Sequence, residues 1–246
     1  MIPVRDKNPS GSVPWVVYLL IALNAAAFLY EAALPDEQLA ALIGDFGLVP
    51  RNVTAAFRGH ASLQRAVLIP ALTSMFLHGG WLHLIGNMWF LHIFGDNVED
   101  RLRHGPFLVF YLACGLLASA LQYALNPSAP IPTVGASGAI AGVLGAYIVS
   151  WPGARIVTLA PLFSLITFVE LPAFLVLGMW FIIQFFEGVG NIGAQFARGG
   201  VAYWAHVGGF LAGAVLMRLL STWRPPRRRP WEPASGQASL LPRSWR

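Results

Sequence analysis

The sequence PTVGASGAIAGVLG, at residues 132–145, is the segment around which the rest of the chain is organised. It is apolar and rich in glycine, and three prolines interrupt the chain just before it, at Pro127, Pro130 and Pro132. From about Ser137 to Trp151 the pattern predicts a helix, in which Ser137 is the one well-placed polar side chain. Taken alone, a serine in an apolar helix is most simply a small packing residue. Its meaning therefore depends on the polar residues elsewhere in the chain.

The composition is that of an integral membrane protein. Of the 246 residues, 56% are hydrophobic and 11% are charged, whereas a soluble domain carries roughly a quarter charged residues. The length suits one helical bundle, so we predict an all-α membrane protein. The single cysteine, Cys114, lies in an apolar run, which excludes a disulfide framework and makes it a packing residue.

Six apolar stretches predict six transmembrane helices, since a bilayer span needs about 20 residues. They lie at 13–34, from 82 onward, and at 105–125, 137–151, 168–186 and 201–220. The connector 36–80 contains two apolar pieces, 39–46 and 66–76, that are too short to span. We therefore expect a long, partly embedded first loop. The predicted division is a segment 1–12, a six-helix membrane domain 13–221, and a disordered Pro/Arg-rich tail 222–246.

The basic residues predict the topology. An even number of spans puts both termini on one side, and most Lys and Arg residues fall on that side. Basic loops stay cytoplasmic, so both termini are expected inside. The excess of arginine over lysine hints at a GC-rich bacterial genome, and hence a bacterial inner membrane. No aromatic residues interleave the basic run 227–229 of the tail, so topology and attraction to anionic lipid explain this run better than nucleic acid does.

Ionisable and polar side chains inside spans indicate function, because they are costly in lipid. His83 and Asn87, in the second span, are four residues apart and so share a helix face. Ser137 opens the fourth span and His206 lies about two turns into the sixth. In the predicted topology these three spans run in the same direction. The four polar groups are therefore expected at a similar depth, in the outer half of the membrane.

Small residues predict that the fourth and sixth spans pack closely. Gly138 and Gly142, like Gly209 and Gly213, form small-xxx-small pairs that let helix backbones approach. This packing would bring Ser137 and His206 within hydrogen-bond reach. The fourth span is also short, at roughly 22 Å against a hydrocarbon core of about 30 Å. Ser137 should then lie below the surface, at the floor of a wet pocket. Alternatively, the glycines serve packing only and His206 bonds a nearby carbonyl.

The four polar groups suit acyl transfer. A serine hydroxyl needs a base to take its proton, and His206 is the candidate base and later the acid. The second, fourth and sixth spans hold no carboxylate at this depth, so we expect a Ser137–His206 dyad. Donors for an oxyanion would be the Ser137 backbone N–H, the Asn87 amide and the His83 imidazole.

These residues match three motifs of one family. Gly135–Gly138 (GASG) resembles the GxSG motif of the rhomboid intramembrane serine proteases, and His83–Asn87 (HLIGN) is similar to their HxxxN motif. Ala205–Gly209 (AHVGG) resembles the segment that bears their catalytic histidine, and Glu99–Arg101 (EDR) a turn that follows their second span. The resemblance covers about residues 13–221.

The resemblance implies cleavage of a peptide bond in or near a substrate's transmembrane helix, without metal or cofactor. It makes Ser137 the nucleophile and His206 the base, with His83 and Asn87 assisting the oxyanion. The partners would be single-pass or other membrane proteins. Some members place a tyrosine one turn after the serine, against the histidine. Here that position is Ala141, so another group must orient His206.

Two other functions stay open. A rhomboid-like protein that binds membrane clients without cutting them is the first. A metal-binding bundle that uses four of the histidines is the second (His78, His83, His92 and His206). The aromatic residues of the fifth span, Trp180 among them, are interpreted as lipid-facing or packing side chains. Through the resemblance, that helix is a candidate gate for substrate entry.

Overall fold

The computed structural model describes residues 2–162, 165–191 and 200–223. Beyond Trp223, the predicted disordered tail lies outside the described residues. The chain forms nine α-helices, one π-helical turn and three strands within those ranges. In order they are β1 (Ile2–Asp6), α1 (Trp15–Ala32), α2 (Asp36–Phe46), α3 (Pro50–Phe57), the π-helical turn (Gln64–Leu68), α4 (Ile69–Thr73), α5 (Trp81–Leu102), α6 (His104–Leu125), α7 (Ser137–Ser150), β2 (Arg155–Leu162), β3 (Leu165–Pro172), α8 (Ala173–Gly190) and α9 (Tyr203–Trp223).

Four helices in the described ranges, α1, α6, α8 and α9, are long and apolar enough to cross a membrane. Helix α7 is a shorter apolar helix of 14 residues. Helix α5 has 22 residues, but acidic side chains are concentrated near its end, at Asp96, Glu99 and Asp100. The chain is therefore a mostly helical integral membrane protein.

The expectation of an all-α chain is wrong in one region. Strands β1, β2 and β3 form an antiparallel sheet in that order. The fifth span was predicted to begin at Phe168, but β3 includes this residue and α8 begins only at Ala173. The β-branched and aromatic residues from Ile166 to Val169 suit a pleated strand. Pro172 then precedes the first turn of α8, where it displaces no helical hydrogen bond.

The segment before α1 is tied to the ends of α5 and α7. Tyr147 of α7 donates its hydroxyl to the Asp6 carboxylate at 2.6 Å. Asn97 of α5 donates to the same Asp6 oxygen at 3.2 Å. Burial raises the pKa of Asp6 to about 6, with a further increase from the nearby Asp96 charge, and the hydrogen bond from Tyr147 opposes this increase. Residues 2–12 thus form part of the fold.

The acidic turn at the end of α5 anchors the start of α1. The buried Glu99 carboxylate accepts the backbone N–H groups of Val16 and Val17 at 3.0 and 2.8 Å. Asp100 accepts the Ser12 hydroxyl at 2.6 Å. Carboxylates beside free N–H groups at a helix start are stabilising. This contact explains the acidic residues at 99 and 100 structurally.

Helices α7 and α9 make the most extensive contact between two elements in the described part of the chain. A Cβ added at Gly209 would lie 1.9 Å from the Gly138 carbonyl oxygen, and one added at Gly213 would lie 1.9 Å from that of Gly142. Only glycine permits this approach. The predicted close packing of these two helices is confirmed. Cys114 is fully buried against Gly142, as a packing residue.

The connector between α1 and α5 supports the segment that leads into α7. Leu48 and Thr133 exchange backbone hydrogen bonds at 3.1 and 2.8 Å. Gly135 donates its N–H to the Ser74 carbonyl at 2.8 Å. The two apolar pieces expected in this connector correspond to α2 and to the π-helical turn with α4, whereas α3 was not expected. These bonds hold the entry to α7 in place.

Candidate active site

Ser137 and His206 face each other across the α7–α9 contact. Ser137 is the first residue of α7, and His206 lies in the first turn of α9. The serine Oγ is 2.7 Å from His206 Nε2, and the histidine is 8% exposed. The glycine contacts one turn further along bring the two backbones close enough for this hydrogen bond. The predicted proximity of these two side chains is confirmed.

Helix α8 holds the other side of the His206 ring. The His206 Nδ1 atom is 2.6 Å from the side-chain oxygen of Gln184. The Trp180 ring packs on the imidazole, with ring centroids 5.6 Å apart and an interplanar angle of 34°. The residue pattern alone did not predict which group orients His206, and Trp180 was predicted to be a lipid-facing or packing residue.

A sequence signal for Gln184 exists. It is a polar side chain inside an otherwise apolar helix, four residues after Trp180, and therefore on the same face. The rule that intramembrane polar groups indicate function applies to it as it does to His206.

His83 and Asn87 lie beside the glycine that precedes the serine. A Cβ at Gly135 would come within 2.7 Å of the His83 ring and 3.6 Å of the Asn87 amide nitrogen. The Gly135 backbone has φ +119°, a conformation that residues with a side chain rarely adopt. Glycine at this position therefore allows the loop to cross close to both side chains.

Both of these side chains have a donor available. His83 Nδ1 accepts the Gly79 backbone N–H at 3.3 Å. In a neutral imidazole the proton then lies on Nε2, which becomes a donor. The Asn87 amide nitrogen is buried and has no acceptor among the described residues. Buried donors without partners are rare and call for an explanation.

A buried acidic contact supports the turn before α5. Glu31 of α1 is 1% exposed and accepts the backbone N–H of His78 at 3.1 Å. The His78 ring packs edge-on against His83, with centroids 5.1 Å apart. Burial, together with the nearby His83, lowers the pKa of His78 to about 4. His78 is thus a neutral packing partner that helps position His83.

The four predicted site residues line one cavity of about 1250 Å³. Its walls come from α5, α7, α8 and α9, and from the segment that includes Pro132 and Thr133. Asn87, Trp180 and His206 contribute to the walls, with Ser137 beside them. Within the described ranges, no group of three or more His, Cys, Asp or Glu side chains could hold a metal ion. Ser137 and His206 thus share one cavity with His83 and Asn87.

Comparison with known proteins identifies the family. The family model described as Rhomboid domain matches residues 65–223, which is more than half of the chain. The chain belongs to the rhomboid family. The matched region of this rhomboid contains all four site residues. It also contains the motifs at Gly135–Gly138 and Ala205–Gly209.

Several curated proteins are similar to this rhomboid. Rhomboid-like protein 11, chloroplastic, from Arabidopsis thaliana is 30% identical over 178 residues, which cover 67% of this chain and 58% of that protein. Rhomboid protease GluP from Bacillus subtilis (strain 168) is 35% identical over 145 residues, 59% of this chain and 25% of that protein. A third, Presenilin-associated rhomboid-like protein A, mitochondrial, from Danio rerio is 30% identical over 99 residues, 39% of this chain and 26% of that protein. The rhomboid described here thus spans less than two thirds of the length of each of these relatives.

Proposed function

We propose that this rhomboid is an intramembrane serine endopeptidase. It would cleave a peptide bond in or near the transmembrane helix of membrane-protein substrates, with a Ser137–His206 dyad. The observation that carries the proposal is the 2.7 Å separation of the serine Oγ and the imidazole Nε2, which is the reach needed for proton transfer. The match to a protein named a protease supports it.

In the proposed reaction, His206 Nε2 takes the hydroxyl proton as Ser137 Oγ attacks the scissile carbonyl carbon. The negative charge that forms on the carbonyl oxygen is stabilised by N–H donors. These are the Ser137 backbone N–H, free because it opens a helix, the Asn87 amide and His83 Nε2. The imidazolium then gives its proton to the leaving amine, which leaves an acyl-serine. Water, deprotonated by His206, hydrolyses this ester and restores the serine.

We further propose that six helices, α1 and α5 to α9, span the membrane, with both termini cytoplasmic. The membrane domain would be residues 13–221, the connector 36–80 a long and partly embedded first loop, and the membrane a bacterial inner membrane. The wall that α8 contributes to the cavity supports a role for this helix in substrate entry. Reporter fusions at residue 60 and at the C-terminus test the topology, because they should report opposite sides of the membrane.

The test of activity is labelling by a fluorophosphonate together with cleavage of a reporter transmembrane substrate in detergent micelles. The full chain should label and cleave, and Ser137→Ala should lose both. His206→Ala should lose both as well, although its serine remains. The control is Ser150→Ala, which removes a hydroxyl at the other end of α7. Cleavage that persists in Ser137→Ala would refute the proposed nucleophile.

The alternative is a catalytically silent rhomboid-like protein that binds membrane clients. The support for this alternative is that some relatives are named rhomboid-like and not protease. A silent binder would retain the reporter substrate, detected by crosslinking, without labelling or cleavage in the unaltered chain. The same assays therefore decide between the two functions.

A further inference from the structure

The imidazole of His206 is held at both nitrogens. Nε2 meets the Ser137 hydroxyl at 2.7 Å, and Nδ1 meets the Gln184 side-chain oxygen at 2.6 Å. An amide oxygen only accepts hydrogen bonds, so the Nδ1 atom must carry the proton. Nε2 is then unprotonated and free to accept the serine proton. The side chain of Gln184 thus selects the one neutral tautomer of His206 that can act as a base toward Ser137.

The described surroundings of His206 offer no other group for this task. Ala141, one turn after the serine, has neither a hydroxyl nor a ring. The nearest carboxylate on α8 belongs to Glu187, at the exposed end of that helix, where it contacts Asn191 at 3.5 Å. Trp180 fixes the plane of the imidazole but offers its Nδ1 atom no acceptor. Two contacts from one face of α8, a tilted ring contact from Trp180 and a hydrogen bond to Gln184, together define the orientation of the ring.

A neutral acceptor suits this position. A carboxylate within the membrane would be costly as an ion, whereas an amide oxygen accepts the same hydrogen bond without a charge. The hydrogen bond also satisfies the Nδ1 atom of His206, a residue that is almost fully buried.

We propose that Gln184 is the positioning residue of the dyad: its side-chain oxygen holds His206 as the Nδ1–H tautomer, with Nε2 directed at Ser137. The catalytic meaning of this contact rests on the proposed protease function, but the tautomer itself does not. The two can therefore be tested separately on the same protein.

The experiment compares Gln184→Leu, Gln184→Met and Gln184→Glu with the unaltered full chain in detergent micelles. Leucine and methionine keep the volume and remove the acceptor, whereas glutamate keeps an acceptor oxygen. Gln64→Leu is the matched control, because it makes the same substitution in the π-helical turn, far from Gln184 in the sequence. Samples labelled with ¹⁵N-histidine report the protonated nitrogen of each imidazole, and His206→Gln identifies the His206 signals among the six histidines. Fluorophosphonate labelling and substrate turnover are measured on the same samples.

We expect His206 to carry its proton on Nδ1 in the unaltered chain, in Gln184→Glu and in Gln64→Leu, and to populate both tautomers in Gln184→Leu and Gln184→Met. The latter two should label about tenfold to a hundredfold more slowly, as loss of one buried hydrogen bond predicts. Their kcat should fall while KM stays within about twofold. Glutamate should restore most of the rate.

An unchanged tautomer in both Gln184→Leu and Gln184→Met would overturn the proposal, and so would a glutamate variant as slow as leucine. If leucine destabilises the fold, the methionine variant and the glutamate rescue decide the question. A tautomer that depends on Gln184 in a protein whose Ser137 never labels would uphold the positioning role and refute the protease function.

Discussion

A single methyl group at Gly209 should separate Ser137 from His206. A Cβ at this position would lie 1.9 Å from the Gly138 carbonyl oxygen, whereas ordinary contact begins near 3.4 Å. The two helices must therefore move apart locally by 3.4 − 1.9 = 1.5 Å, about a carbon–carbon bond length. Gly209 follows His206 by three residues, so the movement acts on the same face of α9.

This displacement is large compared with the distance tolerance of the proposed dyad. Added to the present separation of 2.7 Å, it takes the Oγ–Nε2 distance to about 4 Å, beyond hydrogen-bond reach. Misplacement by about 1 Å can reduce a rate about a hundredfold. We expect Gly209→Ala to label with fluorophosphonate and to cleave a reporter substrate at least about a hundredfold more slowly. Overpacking should also destabilise the fold by about 1–3 kcal/mol.

The assay compares the labelling rates and the thermal unfolding of Gly209→Ala and Gly178→Ala in the same detergent. Gly178 is the matched control, because it lies inside α8 and a Cβ there meets nothing within 4 Å. The control should label at the rate of the unaltered chain. A folded Gly209→Ala variant that labels at that rate as well would show that the close helix contact does not set the serine–histidine distance.

Three other changes have defined outcomes. Asn87→Ala should lower kcat about 10²- to 10³-fold with little change in KM, the usual effect of losing an oxyanion donor; an equal rise in KM would indicate substrate binding instead. Trp180→Ala should slow labelling about tenfold while Trp180→Phe retains most of it, because phenylalanine still offers a ring to His206; equal loss in both would contradict a stacking role. Burial raises the pKa of Asp6 from 3.8 to about 6, so the folded state favours the protonated carboxyl and wild-type stability should fall as the pH rises through that window. Asp6→Asn keeps an oxygen for Tyr147 and should be the more stable protein above pH 6, by a margin that disappears below about pH 4. The free energy of unfolding of both proteins is measured against pH, and a difference that does not vary with pH would refute the role of Asp6 ionisation in stability.

The helices and the serine–histidine pair were predictable for physical reasons that act locally. Lipid requires long apolar stretches, so the hydropathy pattern predicts α1, α6 and α9 to within three residues at each end. Glycine at 209 and 213 indicates close backbone contact because side-chain volume decides how near two helices can come. The site residues stood out because each is polar in an apolar context.

The sheet was not predictable in the same way. Strand β1 pairs with β2, which lies about 150 residues later, as in the Ile2–Leu159 pair. No local pattern in a five-residue segment specifies so distant a partner, and its pairing depends on where α5 and α7 end. Residues 165–172 are as apolar as a membrane helix, so hydropathy extended the fifth span into them. Only the β-branched and aromatic composition, with Pro172 at its end, distinguishes this strand.

To predict which group orients His206, one must know the rotation of α8 about its own axis, and the sequence pattern of a helix does not give this rotation. Trp180 and Gln184 lie on one face of α8, but the sequence does not say that this face points at His206. In the fold, α7 supplies the serine, α9 the imidazole and α8 the contacts that hold the imidazole. A displacement of α8 alone would remove both the stacked ring and the Nδ1 acceptor, and would leave the Ser137–His206 pair without its tautomer control. In the proposed mechanism, reactivity therefore depends on the packing of three helices, although Ser137 and His206 belong to two.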